Sequence, residues 1–219
     1  MNNIKSFSVI NYDKLKGDIH VLGCGAIGSK VITELVRLNL GSKIIAYDFD
    51  LVEGKNINNQ AYLNQHIGMK KTDAIKNLCK LIDPEFPIRV VDKEVKSLSN
   101  DPDDIVIICL DNYDARVNVL KSLRGDPLVI IGGANKAGGN VEVVKGDYST
   151  LIKEYGQLES GNEYDEQDLT PCGSPISISH RIQTIANIIC EQVVKYNDTK
   201  ESINKNLVFS LPDYFFVME

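Results

Sequence analysis

Three glycines carry the first sign of chemistry. They stand as Gly23, Gly25 and Gly28 in "HVLGCGAIGSKV", residues 20–31. A strand that runs into such a turn and out into a helix gathers backbone N–H groups around a phosphate at the helix N-terminus. Gly23 makes the turn, Gly25 lets the backbone approach the phosphate, and Gly28 lets the helix pack against the strand. The spacing does not say whose phosphate, because NAD, FAD and ATP are all held this way. Asp48, at the end of the next strand, is placed to accept from ribose hydroxyls or to cap a strand-end turn.

A denser run follows at once: "YDFDLVEGKNINNQAYLNQHIGMKK". A dehydrogenase has no need of two aspartates, a Val-Glu pair and an Asn/Gln cluster directly after its second strand. Lys71 falls in the first turn of a helix, in line with Ile75 and Leu78. A lysine on that apolar side either takes its ammonium to an anion, here phosphate, or snorkels out to water. Lys70, one step round, faces solvent. Asn56 either contacts phosphates or orients its loop through an Asx turn.

Further along, Asp111 ends the third strand at the carboxyl edge, where open α/β sheets bind ligands. It is the best candidate magnesium ligand, with helix N-capping as its other role. Cys172 stands between Pro171 and Gly173, two residues before a helix start. Loop exposure and the helix dipole both favour a thiolate there; the alternative is an inert loop cysteine. The remaining cysteines read as structural: Cys24 in the glycine turn, Cys79 and Cys190 on helical core faces, and Cys109 in a buried strand. With no CxxC, and with His20, His66 and His180 isolated, no zinc is expected.

The elements that must position these groups alternate strand and helix. "DIHVLGCG" is a strand into a turn; Ile27, Val31, Leu35 and Leu38 give the helix after it, with Gly41 as its C-cap. "KIIAYDFD" is a second strand and "KTDAIKNLCKLI" a helix with Ile75, Leu78, Cys79 and Ile82 on one face. "DIVIICLD" has the unbroken apolar run of a buried parallel strand. A helix from about Asp114 to Leu123 and the strand "LVIIGG" follow, then another strand, "VEVVK". A long helix is predicted from Ser174 (N-cap) and Pro175, with Ile178, Ile182, Ile185, Ile189 and Val193 as its stripe. "NLVFSLPDYFF" supplies closing strands, and "YFFVME" an edge on which a second copy can pair. The prediction is a Rossmann-like, doubly wound, mostly parallel sheet flanked by helices, forming one domain over residues 1–219.

Composition excludes several functions. At 219 residues and 43% hydrophobic content the chain builds a single core. No apolar run is long enough to span a membrane, and the N-terminus lacks a signal-peptide pattern, so a cytoplasmic protein is expected. The net charge of −6 speaks against nucleic acid as a partner. All of that charge sits between Asp147 and Pro171, where seven acids face one base; the rest of the chain has 23 of each sign. A solvated acidic loop is expected at about 147–173, either a docking surface or a linker.

Together these motifs resemble the ThiF/MoeB branch of the ubiquitin-activating (E1-like) adenylyltransferase superfamily. The pattern is D-x-D-x-V, an acid, N-x-x-R-Q, G-x-x-K and C-x-D-N. Here Asp48, Asp50, Val52, Glu53, Asn56, Gln60, Gly68, Lys71 and Cys109 to Asn112 fill it, followed by Arg116. The match covers roughly residues 18 to 145, in the compact form without the zinc motif. The resemblance implies that the phosphate is ATP's. Gly23, Gly25, Ala26, Ile27 and Gly28 would then surround it. Asp48, Asp50, Asn56, Asn59 and Gln60 would flank it, with Lys71, Leu110, Asp111 and Asn112 opposite. Lys71 and Asp111, the latter through magnesium, would serve the chemistry, and Arg116 would form a structural ion pair. The implied reaction is adenylation of a C-terminal carboxylate on a ubiquitin-like or sulfur-carrier protein, with Cys172 placed for onward thioester transfer. A homodimer or heteromer is implied as well.

One position departs from the pattern: Asn59 stands where the resemblance places a phosphate-binding arginine. Asn has no charge and no guanidinium fork. Another cation (Lys55 or Lys70), a partner subunit, or a weakened nucleotide-binding role each accounts for it. Two functions therefore stand open, an activating enzyme and a nucleotide-binding subunit or scaffold of a heteromer.

Overall fold

The computed structural model describes residues 15–40, 42–135, 138–158, 178–199, 205–213 and 215–218. Eight strands form one sheet in the order β3-β2-β1-β4-β5-β6-β7-β8. The first five are parallel to one another: β1 (Ile19–Leu22), β2 (Ile44–Asp48), β3 (Ile88–Asp92), β4 (Ile105–Ile108) and β5 (Leu128–Ala134). The last three, β6 (Gly138–Lys145), β7 (Lys205–Ser210) and β8 (Phe215–Met218), run antiparallel. β1 and β4 are buried at every residue. The unbroken Ile/Val composition of β4, and of β1 apart from the hydrogen-bonded His20 and its closing Leu22, follows from having helices on both faces.

One face packs α1 (Ala26–Leu38), α2 (Lys71–Ile82) and α5 (Ser179–Thr199); the other packs α3 (Tyr113–Ser122) and α4 (Ser149–Gln157). The predicted doubly wound, mostly parallel sheet with closing C-terminal strands is the observed fold. Between β2 and α2 the crossover makes two short 3-10 turns, Gly54–Asn58 and Asn64–His66.

The differences have local causes. β3 was not expected: no residue of "IRVVD" is fully buried, because it is the sheet's edge. α1 ends at Asn39, which takes the left-handed conformation (φ 47°) expected of Gly41; Gly41 itself lies outside the described residues. The acidic segment is not all loop. α4 occupies its start, because Leu151 and Tyr155 fall one turn apart and bury together while Lys153 and Glu154 face outward. The rest of the expected loop, from residue 159, lies outside the described residues. α5 is described from Ser179, so Ile178 precedes it and is exposed, whereas Ile182, Ile185, Ile189 and Val193 are buried as expected. The predicted caps Ser174 and Pro175 lie outside the described residues.

Candidate nucleotide site

Because β1, β2 and β4 are adjacent and parallel, their carboxyl ends deliver the sequence's chemical groups to one edge. Gly23 takes φ +92°, and a Cβ there would stand 2.7 Å from the Cys109 carbonyl oxygen. A Cβ on Gly28 would meet the Gly23 carbonyl oxygen at 1.8 Å, so α1 can close on the turn only with glycine there. Gly25 is different: its missing Cβ would enter open space. Among the described residues no side chain caps the α1 N-terminus at Gly25, and its first N–H groups are of the kind that hold a ligand. An open cleft of about 1210 Å³ begins here and runs past Asp48 and Asp111 to Gly132 and Ile182.

Asp48 caps the strand-end turn, one of the two roles that the sequence left open. It lines the cleft, and its Oδ2 accepts from Cys24 N at 2.7 Å while Oδ1 accepts from Asp50 N at 2.9 Å. Burial raises its pKa, against the lowering by Lys71 and by those two N–H donors. Lys71 is only 7% exposed. Its Nζ donates to Asp50 Oδ2 at 2.7 Å and lies 4.0 Å from Asp48 Oδ1. It does not snorkel; it is a buried ammonium at the cleft wall. Asp50 is the half-exposed counter-ion that holds it.

Asn56 orients its loop: its Oδ1 accepts from Glu53 N at 2.8 Å while the residue lines the cleft. Asn59 and Gln60 line it too, and among the described residues the buried Gln60 Oε1 has no hydrogen-bond partner. Such an orphan acceptor is what a ligand donor would satisfy. Of the two lysines considered beside Asn59, Lys55 lines the cleft, whereas Lys70 is absent from its lining and is paired with Asp92.

On the far wall, Asn112 caps α3, its Oδ1 accepting from Ala115 N at 2.8 Å. That overturns N-capping as the role of Asp111. Asp111 is exposed and lines the cleft. Arg116 departs from the expected ion pair. Among the described residues it is held by carbonyls, with Nε donating to Leu110 O at 2.8 Å, and by the rings of Tyr113 and Tyr155. Cys109 sits just past β4, half-buried and lining the cleft rather than enclosed in a strand, its thiol pushed up to about 12 by burial. Cys24, Cys79 and Cys190 are buried as expected. Cys172 lies outside the described residues.

His20 is consumed structurally, its Nε2 3.1 Å from Asp104 Oδ2 and its Nδ1 3.0 Å from the Tyr47 hydroxyl. Among the described residues no three His, Cys, Asp or Glu side chains cluster to hold a metal, and no helix is long and apolar enough to cross a membrane.

Sequence reasoning missed Phe49, Lys93, Val95, Asn118, Gly132 and Ile182, all of which line the cleft. Their signal is positional. The ends of β3 and β5 flank the ends of β2 and β4 only once the strand order is known.

A parallel sheet with a phosphate-type glycine turn and an aspartate–lysine pair at its carboxyl edge defines a Rossmann-like nucleotide-binding protein. The chain belongs to the ThiF family, whose model matches residues 2–216. It is 25% identical over 209 residues to ubiquitin-like modifier-activating enzyme 5 of Xenopus laevis, covering 86% of this chain and 52% of that protein. It is 24% identical to the enzyme of the same name from Oryza sativa subsp. japonica, covering 96% and 55%. The chain thus spans about half the length of these curated relatives. Among solved structures, PaaA matches with a TM-score of 0.72 at 18% identity, covering 95% of this chain and 74% of that one. Escherichia coli MccB, solved with ATP, matches with a TM-score of 0.72 at 18% identity, covering 95% and 64%. These structural likenesses bear on the fold.

Proposed function

We propose that the chain is an ATP-dependent adenylyltransferase that activates the C-terminal carboxylate of a ubiquitin-like protein, a sulfur-carrier protein or a peptide. The observation that carries this is Lys71, a buried ammonium held by Asp50 and Asp48 beside the uncapped N-terminus of α1. Phosphates at that N-terminus would be met by N–H groups from one side and the ammonium from the other. Asp48 would orient the ribose, and Gln60 would offer its orphan oxygen to a ligand donor. The substrate carboxylate oxygen attacks the α-phosphorus. A P–O bond forms, the bond from the α-phosphorus to the bridging oxygen breaks, and pyrophosphate leaves with the electron pair. The protein's part is positioning and fixed charge. Asp111 would hold a magnesium ion, which when bound supplies charge neutralisation to the pyrophosphate.

The relatives' names support the substrate class: they are ubiquitin-like modifier-activating enzymes, and MccB has been solved with AMPCPP and MccA. Onward transfer to Cys172, a dimeric or heteromeric assembly and a cytoplasmic setting belong to the same proposal.

The neutral Asn59 in the cleft favours a second reading, a nucleotide-binding subunit completed by a partner. Lys55 argues against a need for that partner, since it presents a cation to the same cleft. Its pairing with Glu53 is exposed, at 3.1 Å, and such pairs are weak enough to exchange for phosphate. The test is ATP–pyrophosphate exchange by the purified chain with candidate acceptors. Exchange abolished by Asp111→Ala supports the enzyme. ATP binding without exchange, with activity gained in Asn59→Arg, supports the subunit.

A further inference from the structure

Glu142, in β6, is a half-buried carboxylate that the adenylation chemistry does not use. Its Oε1 accepts from Asn140 Nδ2 at 2.7 Å and its Oε2 from the Tyr155 hydroxyl at 2.8 Å. Tyr155 reaches it from α4. The Tyr155 ring lies against the Arg116 guanidinium, 5.4 Å from the ring centre, and Tyr113 lies 5.3 Å away on the same group. The two rings stack on each other at 5.5 Å. Arg116 in turn donates through Nε to the Leu110 carbonyl at 2.8 Å and through Nη2 to that of Gly132 at 3.4 Å. Leu110 immediately precedes Asp111. A continuous chain of contacts therefore joins α4 to the turn that carries the candidate magnesium ligand.

We propose that Tyr155 is a positioning residue for the nucleotide cleft: it fixes the Arg116 guanidinium against the Leu110 carbonyl and so sets where the Asp111 carboxylate stands. This rests on the role given to Asp111 above. Residues 109–112 are a short connection between β4 and α3, half-buried at Cys109 and Leu110 and exposed at Asp111 and Asn112. A metal-binding carboxylate must be held to within about 0.5 Å. Arg116 supplies the hold on that turn, and a guanidinium keeps one direction only when its faces and its donors are engaged. The two tyrosines engage its face, and Glu142 pins the nearer end of the pair.

Titration calorimetry on the full chain tests this with ATP, ATP plus magnesium chloride, and AMP. Tyr155→Leu is expected to weaken magnesium–ATP about ten-fold, the scale seen when partners of metal ligands are removed, with AMP affinity within about two-fold of the parent. Tyr155→Phe keeps the ring and should lose less than about three-fold. Leu151→Ala removes a buried α4 side chain outside the hydrogen-bond chain. It should lower the thermal midpoint without moving the magnesium–ATP affinity. A matching affinity loss in Leu151→Ala, an equal loss for AMP, or no loss in Tyr155→Leu overturns the proposal. If Tyr155→Leu does not fold, Arg116→Lys keeps the charge but loses the Nε bond to Leu110; it is expected to show the same loss, and unchanged affinity overturns the idea. A parent chain that binds no ATP, or gains nothing from magnesium, refutes the Asp111 reading and this proposal with it. Failure confined to the variants refutes Tyr155 alone.

Discussion

Lys71 and Asp48 show how far one residue's meaning depends on its neighbours. A buried lysine is costly unless paired, and here two carboxylates that line the same cleft pair it. Lys71→Met should weaken ATP at least about ten-fold, as loss of a charge-assisted contact does, and calorimetry with ATP and AMP measures it. Glu142 carries a second residue-scale prediction. Burial raises its pKa, against the lowering by the Tyr155 hydroxyl and Arg116. The folded chain therefore holds that proton more tightly than the unfolded chain does. Stability must then fall as pH rises from the ordinary glutamate range through the raised value. In Glu142→Gln that fall disappears: the variant should match the parent in acid and exceed it near neutrality in a pH series of thermal midpoints.

At the scale of elements, the glycine turn and α1 work as one joint. The Gly28 position touches the Gly23 carbonyl so closely that an added methyl group must push the helix away. Gly28→Ala is expected to cost about 1–3 kcal/mol, the usual range for overpacking, and to lose ATP binding with it. Gly25→Ala, whose Cβ enters open space, should keep the parent's thermal midpoint but lose nucleotide affinity. Comparing midpoint and affinity in the two variants separates the packing glycine from the ligand glycine.

For the whole molecule, the test of the nucleotide reading is ligand-linked stability. ATP with magnesium at about 100 times its dissociation constant should add about 2.7 kcal/mol to the folded state. For a chain of this size that is a rise of roughly 5–10 °C in the thermal midpoint. NAD should give no shift; a rise with NAD and none with ATP would return the glycine turn to the dehydrogenases. The sheet's last strand bears on assembly: β8 is an edge, with Phe215, Phe216 and Val217 exposed.

Much of this was legible in the sequence, because the signals are local. Three glycines at fixed spacing require a turn and a close helix. Unbroken runs such as "IVII" require two covered faces. Asp48, Lys71 and Asp111 could be named from residue type and position, and Asn56 from the resemblance to the family pattern. What the sequence could not express are relations between distant segments. That Asp50 is the counter-ion of Lys71 and that Lys55 and not Lys70 faces the cleft depends on how the crossover after β2 folds back, whereas Asn112 rather than Asp111 caps α3 because of where the β4–α3 connection turns into the helix. The edge strand β3 has too weak a pattern to announce itself, and α4 hid its apolar pair among acids. The Glu142–Tyr155–Arg116–Leu110 chain joins β6, α4, α3 and the β4–α3 turn. Hydrogen bonds and ring contacts act over a few ångströms, so only the tertiary packing that closes those sequence separations decides them.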